Sequence, residues 1–201
     1  LTVSGSGDVY MDSDLSVGDD LRITAGNNSE AVLDISNIGQ VQATKDKSAV
    51  AYLHDFLTHF ASNKITLNGG KQKIAVDMWG TDETFNLKKF DLNDQDTLAK
   101  HLNSLNITAN EQDITNQNIV YIWVSTGEGL KNIQTYYQDQ INKGQTTGIL
   151  SYNFALKNDI DASAVTDYKA IGTGSTNGFT GTFDGRDHRI IGLKVVTLSD
   201  G

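Results

Sequence analysis

Residues 179–193 read FTGTFDGRDHRIIGL, and this stretch decides the fold prediction. Aromatic and β-branched residues flank its glycines, and the Asp-Gly dipeptide at 184–185 suits a corner where positive φ is needed. Further on, Ile191, Leu193 and Val195 alternate with other residues, which predicts a strand with one face toward a core. The stretch therefore predicts short β-strands separated by tight corners.

The same pattern of short strands recurs along most of the chain. Strand signals bounded by Gly, Asn or Asp lie near residues 8–11, 20–24, 31–35, 41–44, 64–68, 74–79, 118–124, 149–156, 178–183 and 189–195. Early in the chain their centres lie about ten to twelve residues apart, a spacing typical of a sandwich, a barrel or a solenoid. The breaks do not form regular Asn-Gly or Asp-Gly hairpin turns, which favours the coils of a parallel solenoid.

Three segments break this pattern. Residues 49–61 are interpreted as a short helix or as two strands, and residues 94–105 as a helix that Asp94 caps. A further helix is predicted over residues 127–142 because apolar residues recur there on one face. The residues on that face are Leu130, Ile133, Tyr137 and Ile141.

Composition excludes several classes of protein. The 201 residues include 16 Lys and Arg against 25 Asp and Glu, a net charge of −9, and an acidic surface repels nucleic acids and anionic lipids. Cysteine is absent, which excludes disulfides, thiol catalysis and Cys-based metal sites, and every apolar run is too short to cross a bilayer. We accordingly expect no cofactor, no metal, no nucleic-acid partner and no membrane insertion.

Because the chain starts at Leu1, we expect it to be a fragment of a longer protein.

Two segments of the C-terminal third resemble a known family. Residues 153–163, NFALKNDIDAS, are similar to the YALANDIDAS element of large secreted bacterial adhesins, and residues 179–193 are similar to the FTGTFDGNGHTISGL repeat that often follows it. The family is the filamentous-haemagglutinin-like and high-molecular-weight adhesins, which two-partner secretion exports. The resemblance covers about residues 119–196. The sequence departs from the family pattern at Arg186 and Asp187, where the family usually has Asn and Gly.

The resemblance implies a mainly all-β fold, a right-handed parallel β-helix (solenoid) with a small helical insertion. Each coil of such a fold contributes short strands that hydrogen-bond to their counterparts in the next coil. We expect one continuous domain. It would have β-helix coils over 1–79, a helical excursion over 80–145 that a strand near 118–125 interrupts, and β-helix coils again over 146–201.

The resemblance also implies a function. Members of this family attach to host cells, some through sialylated glycans. We therefore expect a secreted or cell-surface adhesion domain that binds a host-cell glycan or glycoprotein without catalysis. The full-length protein would use an outer-membrane secretion partner. Two alternatives stay open: a carbohydrate-cleaving enzyme on the same scaffold, and a passive stalk segment of a large exoprotein.

Candidate ligand-binding residues lie in or beside the irregular region. A sugar site combines an aromatic platform with a few fixed hydrogen-bonding groups, and Arg or Lys holds a sugar carboxylate. The residues that meet this description are Asp77, Trp79, Trp123, Tyr136, Tyr137 and Arg186. The alternative for Trp123 and Tyr137 is that they pack the helix on the sheet.

Aspartates near the two motifs have a chemical and a structural interpretation. Clustered carboxylates are typical of enzymes that cleave carbohydrates, and this chain offers Asp159, Asp161, Asp184 and Asp187. Aspartates at corners also accept hydrogen bonds from backbone amides, and we favour that interpretation. The run Asp91–Asp96 resembles a calcium loop only superficially and is interpreted as a helix cap.

Two remaining patterns involve a pair of histidines and two asparagine triplets. His54 and His59 are five residues apart, whereas a zinc-binding helix needs four, so we interpret them as structural residues. The triplets that begin at Asn27 and Asn106 satisfy the N-x-[ST] pattern, which makes both residues candidate glycosylation sites.

Overall fold

A computed structural model describes residues 2–11, 20–34, 64–76, 107–110, 112–113, 119–142, 153–173 and 177–196. These residues are mostly β-strand in parallel pairs, with little helix, so the predicted all-β class is confirmed. The segments predicted at 41–44, 49–61 and 94–105 lie outside the described residues. The chain divides into two compact units, residues 1–77 with 89–121 and residues 78–88 with 122–201, and each is described by itself.

Short strands in the first unit alternate between two sheets. They are β1 Thr2–Ser4, β2 Val9–Met11, β3 Leu21–Thr24, β4 Glu30–Asp34, β5 Ile65–Asn68, β6 Lys71–Val76, β7 Ile107–Ala109 and β8 Gln112–Asp113. One sheet has the parallel order β1-β3-β5-β7, with β8 antiparallel to β7. The other contains β2, β4 and β6 in parallel. Among the described strands from β1 to β7, each therefore pairs with the one two places away.

Aliphatic side chains stack in register through these sheets. Leu21 lies opposite Ile65 and Ile23 lies opposite Leu67, and all four are buried. A second buried stack consists of Met11, Leu33 and Ile74. Because successive side chains of a strand point to opposite faces, the alternating pattern of each short strand sends one set of residues inward. Each fully buried aliphatic side chain contributes about 1.5–3 kcal/mol.

Strand β4 is buried on both faces. Ala31 and Leu33 lie on one face, and Glu30, Val32 and Asp34 lie on the other, yet all five are buried. A strand that is buried on both faces normally carries apolar residues throughout. The two carboxylates of β4 therefore need partners within the protein.

Those partners come from β2 and β6. The carboxylate of Glu30 forms an ion pair with the ammonium group of Lys73, whose side chain is 1% exposed. The same ammonium nitrogen lies 5.0 Å from the centre of the Tyr121 ring. Asp34 accepts a hydrogen bond from the hydroxyl of Tyr10. This buried polar cluster was not predicted, because sequence spacing does not reveal which strands pair.

The second unit contains the motifs that carry the family resemblance. Its elements are β9 Val120–Val124, where the chain passes from the first unit, α1 Gly127–Asn142, β10 Phe154–Leu156, β11 Ile160–Asp161, β12 Gly172–Thr173, β13 Asn177–Gly178, β14 Phe183–Asp184 and β15 Ile190–Ile191. Strands β9, β10 and β14 pair in parallel in that order, and β11 pairs in parallel with β15. Strands β12 and β13 form a short antiparallel pair.

Three details of the C-terminal prediction are wrong. The strand predicted over 178–183 is not continuous, because only Asn177–Gly178 and Phe183–Asp184 are strand. The strand predicted over 189–195 is limited to β15 and a single bridge at Val195, and Ile191 and Val195 are 53% and 52% exposed rather than in the core. The strand is short and its side chains are exposed because, among the described strands, β15 pairs only with β11. The positive φ angles fall on Arg186 (48°) and Asp187 (62°), and not on the preceding Asp-Gly dipeptide.

The corner after β14 explains where those angles fall. The N–H of His188 donates to the carbonyl of Gly185 at 2.8 Å, so Arg186 and Asp187 are the two central residues of a four-residue turn. Positive φ at both central positions is the property of a type I′ turn. The N–H of Arg186 also donates to Oδ1 of Asp184 at 3.0 Å, which fixes the entry to the turn.

Candidate functional site

Helix α1 has the bounds that the sequence predicts. Oγ1 of Thr126, just before the helix, accepts a hydrogen bond from the N–H of Gly129 at 3.0 Å and so caps the first turn. Leu130, Ile133 and Tyr137 recur at helical spacing and are buried. One face of α1 therefore belongs to the core of the second unit.

Tyr137 is part of an aromatic core. Its ring centre lies 6.3 Å from that of Phe154 and 6.4 Å from that of Phe179, both in edge-to-face geometry. Phe154 also lies 6.2 Å from Phe183. Because Tyr137 is 1% exposed, its ring is not accessible to a sugar. For this residue the alternative interpretation, core packing, is confirmed.

Trp123 and Arg186, both candidate ligand-binding residues, meet in the structure. The guanidinium carbon of Arg186 lies 4.8 Å from the Trp123 ring centre, and Nη1 of Arg186 donates to the carbonyl of Leu156 at 3.3 Å. The Lys157 ammonium lies 6.0 Å from the same ring. Trp123 is fully buried, with the cationic groups of Arg186 and Lys157 beside its ring. A sugar therefore cannot stack on this ring.

The other candidates are distributed differently. Asp77, Trp79 and Asn106 lie outside the described residues, as do His54, His59 and the run Asp91–Asp96. Tyr136 lies within α1. Asn27 is exposed in the turn between β3 and β4.

An open groove lies beside α1, and we call it the α1 groove. It has a volume of about 350 Å³ and is lined by Lys131, Gln134, Thr135, Gln138 and Asn142 of α1 together with Asp167 and Lys169. Pockets that bind small molecules have volumes of roughly 300–1,000 Å³, so this groove suits a small ligand.

Hydrogen bonds hold several groove side chains in place. The Lys131 ammonium donates to the carbonyl of Asp167 at 2.6 Å, which joins α1 to the 165–169 segment. Nε2 of Gln138 donates to Oδ1 of Asn142 at 3.1 Å. The lining offers two ammonium groups, three amides, a hydroxyl and a carboxylate, a set that can hydrogen-bond to a polar ligand on several sides.

Gln134 is the residue that sequence analysis missed. It is 5% exposed, and its side chain makes no hydrogen bond in the part of the chain that the structure describes. A signal was present: Gln134 occupies a position four residues after Leu130 and three before Tyr137, on the buried stripe where an apolar residue is expected. A polar residue that interrupts such a stripe indicates either a buried partner or a ligand.

The corner aspartates bind backbone amides, as we favoured. Asp159 accepts from the N–H of Arg189 at 3.1 Å, and Asp161 accepts from the N–H of Ser163 at 2.9 Å. The Arg189 N–H is the main cause that lowers the pKa of Asp159, with further contributions from His188 and the Arg189 guanidinium group. Hydrogen bonds from Ser163 lower the pKa of Asp161. Among the described residues, no three His, Asp or Glu side chains lie close enough to share a metal ion.

We predict that Asp159→Asn removes an acid-sensitive part of the stability. The pKa of Asp159 in the folded protein is lowered from 3.8, so the folded state favours the ionised carboxylate more than the unfolded chain does. This contribution is complete above the unfolded pKa and is lost as pH falls through the lowered folded pKa. The variant should therefore have a lower Tm than the wild type at neutral pH, and the gap should close below about pH 4.

The control for this prediction is Asp187→Asn, which removes an equal charge from an exposed residue of the nearby turn. Its Tm should differ from that of the wild type by the same small amount at every pH. Thermal unfolding followed by circular dichroism between about pH 3 and pH 7 measures both. A gap for Asp159→Asn that does not change with pH would contradict the assigned role of this carboxylate.

No helix within the described ranges is long and apolar enough to span a membrane. Comparison of the chain with protein families, with curated proteins and with solved structures finds no match.

Proposed function

We propose that this protein is part of a secreted bacterial surface adhesin and binds a host-cell surface glycan without catalysis. Its fold would be a right-handed parallel β-helix with a small helical insertion. The proposal extends the resemblance of residues 153–163 and 179–193 to filamentous-haemagglutinin-like adhesins. One observation carries it: these two segments pair in parallel, with Phe154 opposite Phe183 and Ile160 opposite Ile190.

The order of the strands supports winding in coils. In the first unit the strands β1 to β7 alternate between two sheets, so each of β1 to β5 hydrogen-bonds in parallel to the described strand two places later. A chain that winds continuously in one direction produces this pattern, whereas hairpins pair consecutive strands in antiparallel fashion. The second unit repeats the parallel pairing between β10 and β14 and between β11 and β15.

The corner at Arg186 and Asp187 supports the family assignment on physical grounds. Both residues have positive φ at the centre of a type I′ turn. Asn followed by Gly is the pair that such a turn favours most, and it is the pair usual in the family at these two positions. The chain therefore keeps the backbone geometry that the family motif suits, although its side chains differ.

Binding rather than catalysis is favoured by how the carboxylates are used. Asp159, Asp161 and Asp184 accept hydrogen bonds from backbone amides at corners, a structural role that needs no catalytic explanation. The α1 groove offers hydrogen-bonding groups of the kind that hold sugars. Under this proposal the full-length protein is carried to the cell surface by an outer-membrane secretion partner, and the ligand is a glycan or glycoprotein of the host cell.

The proposal is tested by applying the purified chain to a glycan array and to cultured epithelial cells. We expect binding to a subset of glycans and attachment to cells that soluble copies of those glycans inhibit. The chain should release no new reducing ends from polysaccharides. A uniformly blank array together with no attachment to cells would support a passive stalk, and a rise in reducing ends would support an enzyme; either result would overturn the proposal.

A further inference from the structure

We propose that aspartate and asparagine residues placed directly before strands set the register of the next parallel strand. In each case Oδ1 of this leading residue accepts a hydrogen bond from the backbone N–H of the residue that lies opposite it on the neighbouring strand. We call these hydrogen bonds the strand-start clamps. They act on the alignment of strands, and this role does not depend on the binding of a glycan.

The clamps occupy equivalent positions in both units. Among the described residues, Oδ1 accepts the opposite N–H in four pairs: Asp8 from Glu30 at 2.8 Å, Asp20 from Lys64 at 2.9 Å, Asn153 from Thr182 at 3.0 Å and Asp159 from Arg189 at 3.1 Å. Each pair lies one position before two residues that face each other in register: Val9 with Ala31, Leu21 with Ile65, Phe154 with Phe183, and Ile160 with Ile190. Recurrence at the same register position indicates a shared role.

A backbone hydrogen bond completes three of the clamps. The carbonyl of the clamped residue accepts from the first residue of the earlier strand: Lys64 from Leu21 at 2.9 Å, Thr182 from Phe154 at 2.8 Å and Arg189 from Ile160 at 2.8 Å. Both backbone polar groups of the clamped residue are therefore held by two consecutive residues of the earlier strand. A shift by one residue moves the backbone about 3.3 Å along the strand, so a strand out of register loses both contacts.

The strands themselves specify register only in part. The hydrogen bonds of a parallel ladder are evenly spaced, so the ladder alone does not distinguish one register from another. A slip by one residue sends buried side chains to the opposite face, but a slip by two residues restores the faces. Between β3 and β5, for example, a slip by two residues would place Ile23 opposite Ile65, which is again an apolar pair. The clamp at the start of the strand distinguishes these two registers.

The chemistry of the clamps explains why aspartate and asparagine serve. Their side chains are short and have few torsions to fix, yet their oxygen reaches a neighbouring strand about 4.8 Å away. Three clamps use a carboxylate and one uses the neutral amide of Asn153, so the shared feature is the acceptor oxygen rather than the charge. The clamped residues are a glutamate, a lysine, a threonine and an arginine, because only their backbone N–H is recognised.

The first test replaces Asp20 in the whole chain and follows the amide of Lys64 by native-state hydrogen exchange and NMR. Asp20→Ala removes the acceptor, whereas the matched control Asp20→Asn removes the charge and keeps an acceptor oxygen. We expect the protection of the Lys64 amide to fall about tenfold in Asp20→Ala and by much less in Asp20→Asn. The amides of β1 should keep their protection in both variants, because β1 pairs with the other edge of β3.

The second test reads the register directly with introduced cysteine pairs, since the chain has no cysteine of its own. Arg22→Cys with Thr66→Cys joins residues that lie opposite each other, whereas Arg22→Cys with Asn68→Cys joins residues two positions out of register. Opposite residues of neighbouring strands lie within the range of a disulfide, but a two-residue offset separates the Cα atoms by roughly 8 Å. With Asp20 present, only the opposite pair should oxidise. In the Asp20→Ala background, we expect the offset pair to oxidise as well.

A clamp of the second unit repeats the exchange test should Asp20→Ala fail to fold. Asn153→Ala should expose the Thr182 amide to exchange, and Asn153→Asp, which keeps the acceptor, should protect it. Unchanged protection of the clamped amides in the alanine variants would overturn the proposal. Reduced protection without any offset disulfide would also overturn it, because the clamps would then be ordinary stabilising hydrogen bonds that do not select the register.

Discussion

Lys73→Met is expected to lower the free energy of unfolding by about 3–5 kcal/mol. The Lys73 side chain is 1% exposed, and its ammonium group pairs with the carboxylate of Glu30, whose side chain is 11% exposed. Methionine keeps most of the length and the apolar contacts of the lysine stem, but it removes the ammonium group that pairs with the Glu30 carboxylate. Removing one partner of a buried ion pair therefore dominates the effect. Urea denaturation followed by circular dichroism measures it.

Two further variants separate the lost pair from the lost charge. Lys64→Met removes a charge from an exposed residue of the same unit and should change stability by no more than about 0.5 kcal/mol. Adding Glu30→Leu to Lys73→Met should recover most of the loss, because apolar side chains of similar size often replace a buried ion pair at little cost. A double variant that is less stable than Lys73→Met alone would show that the Glu30 carboxylate is satisfied by other groups.

Trp123→Ala should lower the free energy of unfolding by about 3–5 kcal/mol. Trp123 is fully buried in β9, directly opposite Ala155 of β10, so truncation leaves a cavity on the face of the sheet that Trp123 and Ala155 share. It also removes the ring on which the Arg186 guanidinium group lies. The measurement is guanidinium chloride denaturation followed by circular dichroism, because the substitution removes one of the two tryptophans that fluorescence would report.

The matched comparison uses an exposed apolar residue of the same unit. Ile191→Ala removes a residue that is 53% exposed and should lower stability by less than about 1 kcal/mol. Trp123→Phe retains an aromatic ring, so its loss of stability should lie between those of Trp123→Ala and Ile191→Ala. If Trp123→Ala were as mild as Ile191→Ala, the tryptophan would be accessible in solution, and its predicted role as a sugar platform would return.

Local patterns in the sequence predicted several elements well. The helix predicted over 127–142 is observed as α1 with the same bounds, because a stripe at helical spacing and a capping hydroxyl are both local features. The strands expected near 8–11, 20–24 and 64–68 are observed within one residue of those bounds. The strand expected over 189–195 is shortened to two residues. An alternating pattern gives a buried strand only where neighbouring elements cover it on both sides.

The candidate site was predicted only in part. Arg186 and Trp123 were both selected, yet their contact at 4.8 Å buries the ring instead of presenting it. The α1 groove was missed because its lining comes from a helix and from the 165–169 segment, which contains no recognisable motif. Gln134 could have been noticed as a polar residue on an apolar stripe, but the open space beside it is visible only in three dimensions.

The order of apolar, glycine and aspartate residues by itself determined where short strands and corners form, because backbone preferences and side-chain alternation act over a few neighbouring residues. The same local information determined α1 and the excess of negative charge. Only the tertiary structure decided which distant residues meet: Glu30 with Lys73, Phe154 with Phe183, and Lys131 with Asp167. The first two pairs depend on the register between strands, and the third depends on how α1 packs; both follow from the length of the intervening connections and from the packing of the whole unit.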